Sequence, residues 1–187
     1  MVKSGSFCFN FTFQIKEVGE NPYKHREMGN LLGEYACKLD AKGRVMLPVA
    51  LKKQVQPAAQ NKFVINRGFE KHLNLYPLDE WQLVSAEVNK LNPYVAKNRE
   101  FMRAFFRGAT ELELDNTARL LMPKPLLEYA DVGSELVLYA YGNKIEVWSK
   151  ERYHNLFREG TEVGRLTAHQ LIVSLFTPHF YLVSICI

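Results

Sequence analysis

Residues 33–55 read GEYACKLDAKGRVMLPVALKKQV, and residues 108–130 read GATELELDNTARLLMPKPLLEYA. Laid one over the other, Gly33 meets Gly108, Leu39 meets Leu114, Asp40 meets Asp115, Arg44 meets Arg119, Pro48 meets Pro123 and Leu51 meets Leu126. An Asp-x-x-x-Arg motif repeated inside matching apolar frames marks an internal duplication. The first copy opens on alternation, with Tyr35, Cys37 and Leu39 on one side and Glu34, Ala36 and Lys38 on the other, which predicts a half-buried strand. In the turn that follows, Asp40 can accept a backbone N–H two residues on, and Gly43 can take the positive φ that closes it. The chain is then expected to reverse into a second strand at "RVML", making a hairpin. Pro48 suits the first turn of a short helix, because the N–H it lacks would have no helical partner there.

The repetition extends outward. "KFVINRGFEKHLNLYPL" (62–78) holds two apolar runs around Gly68, and "ELVLYAYGNKIEVWSK" (135–150) echoes it around Gly142-Asn143, so each copy adds a second hairpin. Helices are predicted after both, at "LDEWQLVSAEVNKL" (78–91) and "KERYHNLF" (150–157), the first with Trp81, Val84, Val88 and Leu91 at helical spacing. Between the copies, Phe101, Met102, Phe105 and Phe106 form one face of a connecting helix, while Arg99, Arg103 and Arg107 lie four apart along another. The organisation is a first module over 29–78, connecting helices over 79–107 and a second module over 108–151. Each copy is too small to bury much surface alone, so a fused pseudo-dimer sharing one barrel is expected.

Outside the modules, residues 1–28 read as an N-terminal extension, non-native or disordered, with Met28 before "GNLLGEY" as the natural start. Residues 152–187 read as a C-terminal helix and an atypical apolar tail. A misassigned start codon and a frameshift or cloning scar would account for both. The tail "LIVSLFTPHFYLVSICI" falls short of the roughly 20 residues of a spanning helix and carries Pro178 in mid-run, so no membrane anchor is expected.

A net charge of +4 and a pI near 8.9 permit a polyanionic partner without requiring one. Cys8, Cys37 and Cys186 are odd in number and far apart, which points to a reducing compartment, the cytoplasm. His25, His72, His154, His169 and His179 are scattered without metal-ligand spacing and read as surface or packed side chains. The sequence has no phosphate-binding glycine loop and no G-x-S-x-G elbow, and a turn tip in solvent cannot shift a pKa by desolvation. The expectation is a non-enzyme with no cofactor, no metal and no small-molecule substrate.

With "GEYACKLDAKGRVMLP", "YPLDEW", "FFRGATELELD", "RLLMP" and "EVWSKERY" in this order, residues 29–159 resemble the MraZ family of bacterial transcriptional regulators, built from two tandem AbrB/SpoVT-type modules. The resemblance implies a mainly β fold with short helices, a double-split, swapped-hairpin AbrB-like β-barrel formed by the two pseudo-symmetric modules. It also implies a homo-oligomeric ring, nucleoid association, and repression through short direct repeats upstream of the division and cell-wall gene cluster that its own gene heads. Ala118 departs from the pattern by standing where the first copy has Gly43, and the second turn is therefore expected to take another shape.

DNA contact needs cations for phosphates and side chains such as Arg for base edges. The first turn clusters Lys38, Lys42 and Arg44 against Asp40, a turn former that orients Arg44, so it is expected to carry the DNA face. In the second turn Glu113 and Thr117 replace the lysines, which leaves Asp115 and Arg119 as a structural pair. Arg99, Arg103 and Arg107 read as a solvated or interface stripe with a lesser share in phosphate contact, and Lys52 and Lys53 as helix-surface charges. The alternative function is an antitoxin-like or assembly module that seizes a protein partner through the same barrel.

Overall fold

The computed structural model describes residues 30–159, with the side chains of 157–159 left aside. The expectations for residues 1–28, for the tail beyond 159 and for Cys8, Cys186, His25, His169 and His179 lie outside the described residues. Among the described residues, eight strands form the body: β1 (Leu31–Lys38), β2 (Arg44–Met46), β3 (Lys62–Arg67), β4 (Leu73–Pro77), β5 (Thr110–Glu113), β6 (Arg119–Leu121), β7 (Glu135–Gly142) and β8 (Lys144–Ser149). The helices are α1 (Val49–Lys52), α2 (Leu78–Asn89), α3 (Ala96–Phe105), α4 (Lys124–Tyr129) and α5 (Lys150–Glu159), with a 3₁₀ turn over Pro57–Ala59. Mainly β with short helices is the observed class.

The expected hairpin between β1 and β2 is reduced to its closing turn, with the Asp40 N–H on the Arg44 carbonyl at 2.9 Å, and no ladder extends from it. Beyond a single bridge from Leu39 to Val45, β1 runs antiparallel to β7 of the other repeat, from Leu31 opposite Gly142 to Lys38 opposite Glu135. In the mirror arrangement, β5 pairs with β3, from Lys62 opposite Glu113 to Ile65 opposite Thr110. The hairpins β3–β4 and β7–β8 form as the sequence predicts, and they join through β4 and β8. The result is one open antiparallel sheet in the order β1-β7-β8-β4-β3-β5, which reads the same from either end once the repeats are equated. Its end strands are edges, and β2 and β6 form a separate two-stranded ribbon.

Alternation explains which face each strand buries. Leu73, Leu75, Leu136, Leu138, Ile145 and Val147 point into one core, which Val45 and Leu120 of the ribbon close from the opposite side. Leu51 of α1 and Leu126 and Leu127 of α4 fill its corners. Tyr35, Cys37 and Leu39 pack partly buried against this core while Glu34, Ala36 and Lys38 stay exposed, as the alternation predicts. Burial pushes the Cys37 thiol pKa up.

On the sheet's outer face α2 and α3 lie against β3, and α5 against β7 and β8. Trp81 stacks on Phe105, and Trp148 packs with Val137 and Tyr153. Between these helices a polar row crosses the strands in register, with Asn66 opposite Asn74 and Asn74 opposite Glu146. Buried polar groups need partners, and Glu146 has three: Tyr141 Oη at 2.6 Å, Lys144 Nζ at 2.8 Å and Trp148 Nε1 at 3.0 Å. His72 is buried here, stacked on Trp148 and within 3.3 Å of Asn74 Oδ1, the packed one of the two readings, surface or packed, that the sequence left open.

Candidate nucleic-acid interface

Each turn is built from its aspartate. Asp40 Oδ1 accepts the backbone N–H groups of Lys42 and Arg44 at 2.9 Å each, and the Gly43 N–H donates to the Asp40 carbonyl. Asp40 Oδ2 then takes Arg44 Nε and Nη2, both at 2.7 Å. The carboxylate therefore fixes the turn and holds the guanidinium as well.

The second turn repeats this bonding. Asp115 Oδ1 accepts the N–H groups of Thr117 and Arg119 at 2.8 and 2.9 Å, and Arg119 Nε reaches Asp115 Oδ2 at 3.2 Å. The expectation of another shape is corrected here, because Ala118 takes φ +57° where Gly43 has +75°. Local bonding compensates the strain. Thr117 Oγ1 donates to Asp115 at 2.6 Å and accepts from Arg119 Nε at 2.7 Å. The sequence shows Thr117 only as a lost lysine; its role in locking the turn is a hydroxyl's, and the residue type alone does not announce it.

The ribbon brings the two turns together. Arg44 stands opposite Leu121, Val45 opposite Leu120, and Met46 opposite Arg119. The ladder continues beyond the strands, with the Leu47 N–H on the Ala118 carbonyl at 2.9 Å and the Met122 N–H on the Gly43 carbonyl at 3.0 Å. Arg44 Nη1 approaches Asp115 Oδ2 to 3.9 Å, and Arg119 Nη1 approaches Asp40 Oδ2 to the same distance. Two charge pairs from separate repeats thus become one four-member cluster, with each side chain about a third exposed.

Hydrogen bonds from the Arg44 backbone and side chain, with a further one from the Lys42 N–H, hold the Asp40 carboxyl at a pKa of about 2. Asp115 is lowered further, first by the Thr117 hydroxyl and then by the Arg119 N–H. Both aspartates are ionised at any physiological pH, so neither has a proton to donate there and both are weak bases.

The remaining predicted residues are scattered. Lys42 is exposed at the first turn. Lys38 is exposed too, but its Nζ lies 3.2 Å from Glu135, which also takes Lys150. Arg99 closes the loop before α3 by donating to the carbonyls of Pro93 and Tyr94, both at 2.9 Å, while Arg103 and Arg107 are exposed. Lys52 and Lys53, at the end of α1, are exposed. Sequence reasoning missed Met46 and Leu121, which lie on the same outward face as the two arginines.

Two successive stretches, residues 31–104 and 105–170, match the family described as "MraZ protein, putative antitoxin-like". Among similar proteins, the transcriptional regulator MraZ of Christiangramia forsetii is 43% identical over 72% of this chain and 88% of its own length. That of Flavobacterium psychrophilum is 45% identical over 67% of this chain and 81% of its own. For Cytophaga hutchinsonii the figures are 37%, 77% and 96%. A family match across both repeats, with relatives this similar over most of their lengths, establishes that the chain belongs to the MraZ family.

Proposed function

We propose that this chain is a transcriptional regulator, a sequence-specific DNA-binding repressor that uses the β2/β6 ribbon as its reading head. Its relatives carry the name transcriptional regulator. The observation that carries the reading to DNA is the joining of both Asp-x-x-x-Arg turns on one exposed two-stranded ribbon. A ribbon of that kind fits the major groove, and an arginine whose planar guanidinium is oriented by a carboxylate is presented for contact with guanine. Arg44 is the principal reader, Lys42 and Lys38 add phosphate contacts, and Asp40 orients Arg44. Asp115 and Arg119 brace this arrangement from the second turn, and Arg103 and Arg107 remain as secondary phosphate contacts.

A single ribbon engages few base pairs. A homo-oligomeric ring would present identical ribbons to direct repeats one helical turn apart, and effective concentration then raises affinity by roughly 10² or more. The targets are short repeats upstream of the chain's own gene in the division and cell-wall cluster, and the protein acts in the cytoplasm at the nucleoid. No helix among the described residues is long and apolar enough to cross a membrane.

Fluorescence anisotropy against a duplex from upstream of the gene tests this, with wild type, Arg44→Ala and Arg119→Ala at several salt concentrations. The expected result is preference for that duplex over a scrambled one, with steep salt dependence and a larger loss for Arg44→Ala than for Arg119→Ala. Lys42→Ala should weaken all duplexes alike and flatten the slope of log K against log salt by about 0.9, the share of one phosphate contact. Wild type indifferent to sequence, or both arginine variants binding unchanged, would leave a protein partner as the better reading.

A further inference from the structure

The outward face of the ribbon carries more than charge. Directly opposed residues of an antiparallel pair project to the same side, so Arg44, Leu121, Met46 and Arg119 form a two-by-two block. The arginines occupy one diagonal, and Met46 and Leu121 the other. Val45 and Leu120 point the opposite way, into the core, and are only 1% and 0% exposed. Met46 and Leu121 remain 60% and 58% exposed, although the core beneath has room for only one side of each strand. A scattered exposed apolar residue needs no explanation, but two interleaved with two arginines on one face of a ribbon do.

Resting on the DNA-binding reading above, we propose that Met46 and Leu121 determine sequence specificity by contacting the 5-methyl groups of thymines in the major groove, beside the guanine that Arg44 engages. Chemistry and dimensions both favour that occupant. Paired strands lie about 4.8 Å apart, and residues two apart on a strand about 7 Å, so the block fits within a groove about 12 Å wide. In that groove the thymine methyl is the one apolar feature that distinguishes a base pair, and it is read by apolar contact. Methionine is unbranched and adaptable, and leucine is compact, so each can close on a methyl without leaving a polar atom unpaired. The arginines bring the cationic charge that draws a duplex to this face, and a second apolar protein surface would have to bury that charge.

The test uses the full chain and its upstream duplex with thymines replaced one at a time by uracil, which removes the methyl and keeps every hydrogen-bonding group. For wild type, uracil at one or more positions should weaken binding roughly three- to fivefold, the value of one methyl withdrawn from water. Met46→Ala or Leu121→Ala should bind the thymine duplex more weakly by a similar factor and lose sensitivity to uracil at the position each contacts. Both sites are exposed, so both variants are expected to melt as wild type does. Wild type that selects its duplex over a scrambled one yet ignores every uracil substitution would overturn this inference and leave the DNA reading standing. No selection at all would overturn the DNA reading itself. Variants that keep full uracil sensitivity but change the oligomeric mass by light scattering would show that the pair is a protein interface.

Discussion

Ala118 holds a φ of +57° that an L-residue adopts only at a cost, while Gly43 adopts the equivalent +75° freely. The cost is tolerated because Thr117 and Asp115 over-determine the second turn. Opposite outcomes are expected from exchanging the two residue types. Gly43→Ala should destabilise by about 1 kcal/mol from φ alone, since a Cβ there meets nothing nearer than 3.8 Å. Ala118→Gly should be neutral or stabilising by up to about 1 kcal/mol, as relief of strain outweighs the added freedom of the unfolded chain. Urea denaturation of both variants checks this, and equal losses in the two would show that the turns are not equivalent in strain. The aspartates make a pH prediction. The folded pKa of Asp40, about 2, lies below the unfolded carboxylate value of roughly 3.9, so the stability it lends is complete above that value and drains away as pH falls toward 2. The difference in urea midpoint between wild type and Asp40→Asn should therefore narrow from pH 5 to pH 3. A difference that stays constant would mean the ionised carboxylate does not hold the turn.

Individual strands, their faces and the two hairpins β3–β4 and β7–β8 could be read in advance, but the pairings between the repeats could not. The alternation of Tyr35, Cys37 and Leu39 fixes which side of β1 meets the core, because period two is a property of one strand. Pairing is a property of two, and the turn at Asp40 suggested β2 as neighbour when it is β7 of the other repeat that provides the ladder. The same limit hid Met46 and Leu121. Each looks like one residue of an ordinary short strand until β2 and β6, far apart in sequence, are laid side by side. Arg44 and Asp40 were visible because their contact is local, four residues apart across one turn. The outer face of the sheet shows a further pairing that sequence does not announce, the buried Glu146 and part-buried Lys144 with Tyr141 and Trp148. Burial alone would raise the Glu146 pKa, yet the three donors outweigh it and the carboxyl stays below its usual range. Removing it strands Lys144 in a largely buried setting. Glu146→Ala should cost about 3 kcal/mol, read as a shift in urea midpoint, and the double variant Glu146→Gln, Lys144→Met should recover a large part of that loss. A Glu146→Ala loss under about 1 kcal/mol would show that the network adds little beyond packing.

The interlocking of the repeats governs the stability of the whole. Each repeat contributes the strand that caps the other's hairpin, β1 on β7 and β5 on β3, and the ribbon and the β4–β8 seam add two more ladders between them. Val45 and Leu120 are buried only because both repeats reach the same core. A single repeat would expose the seam edge of its hairpin, lose half the ribbon and leave its core open on one side, with too little apolar burial to offset its chain entropy. Arg44 and Arg119 would then have no common surface, so the reading face proposed here exists only in the joined molecule. Two separately produced fragments, residues 30–107 and 108–159, should each show no cooperative unfolding transition and no binding to the upstream duplex. Mixed in equal amounts they should recover both, with an affinity between fragments limited by the entropy of bringing two chains together. The measurement is circular dichroism with a urea titration on each fragment and on the mixture. A cooperative transition in either fragment alone would mean that one repeat is a domain in its own right and that the exchange of strands is dispensable for folding.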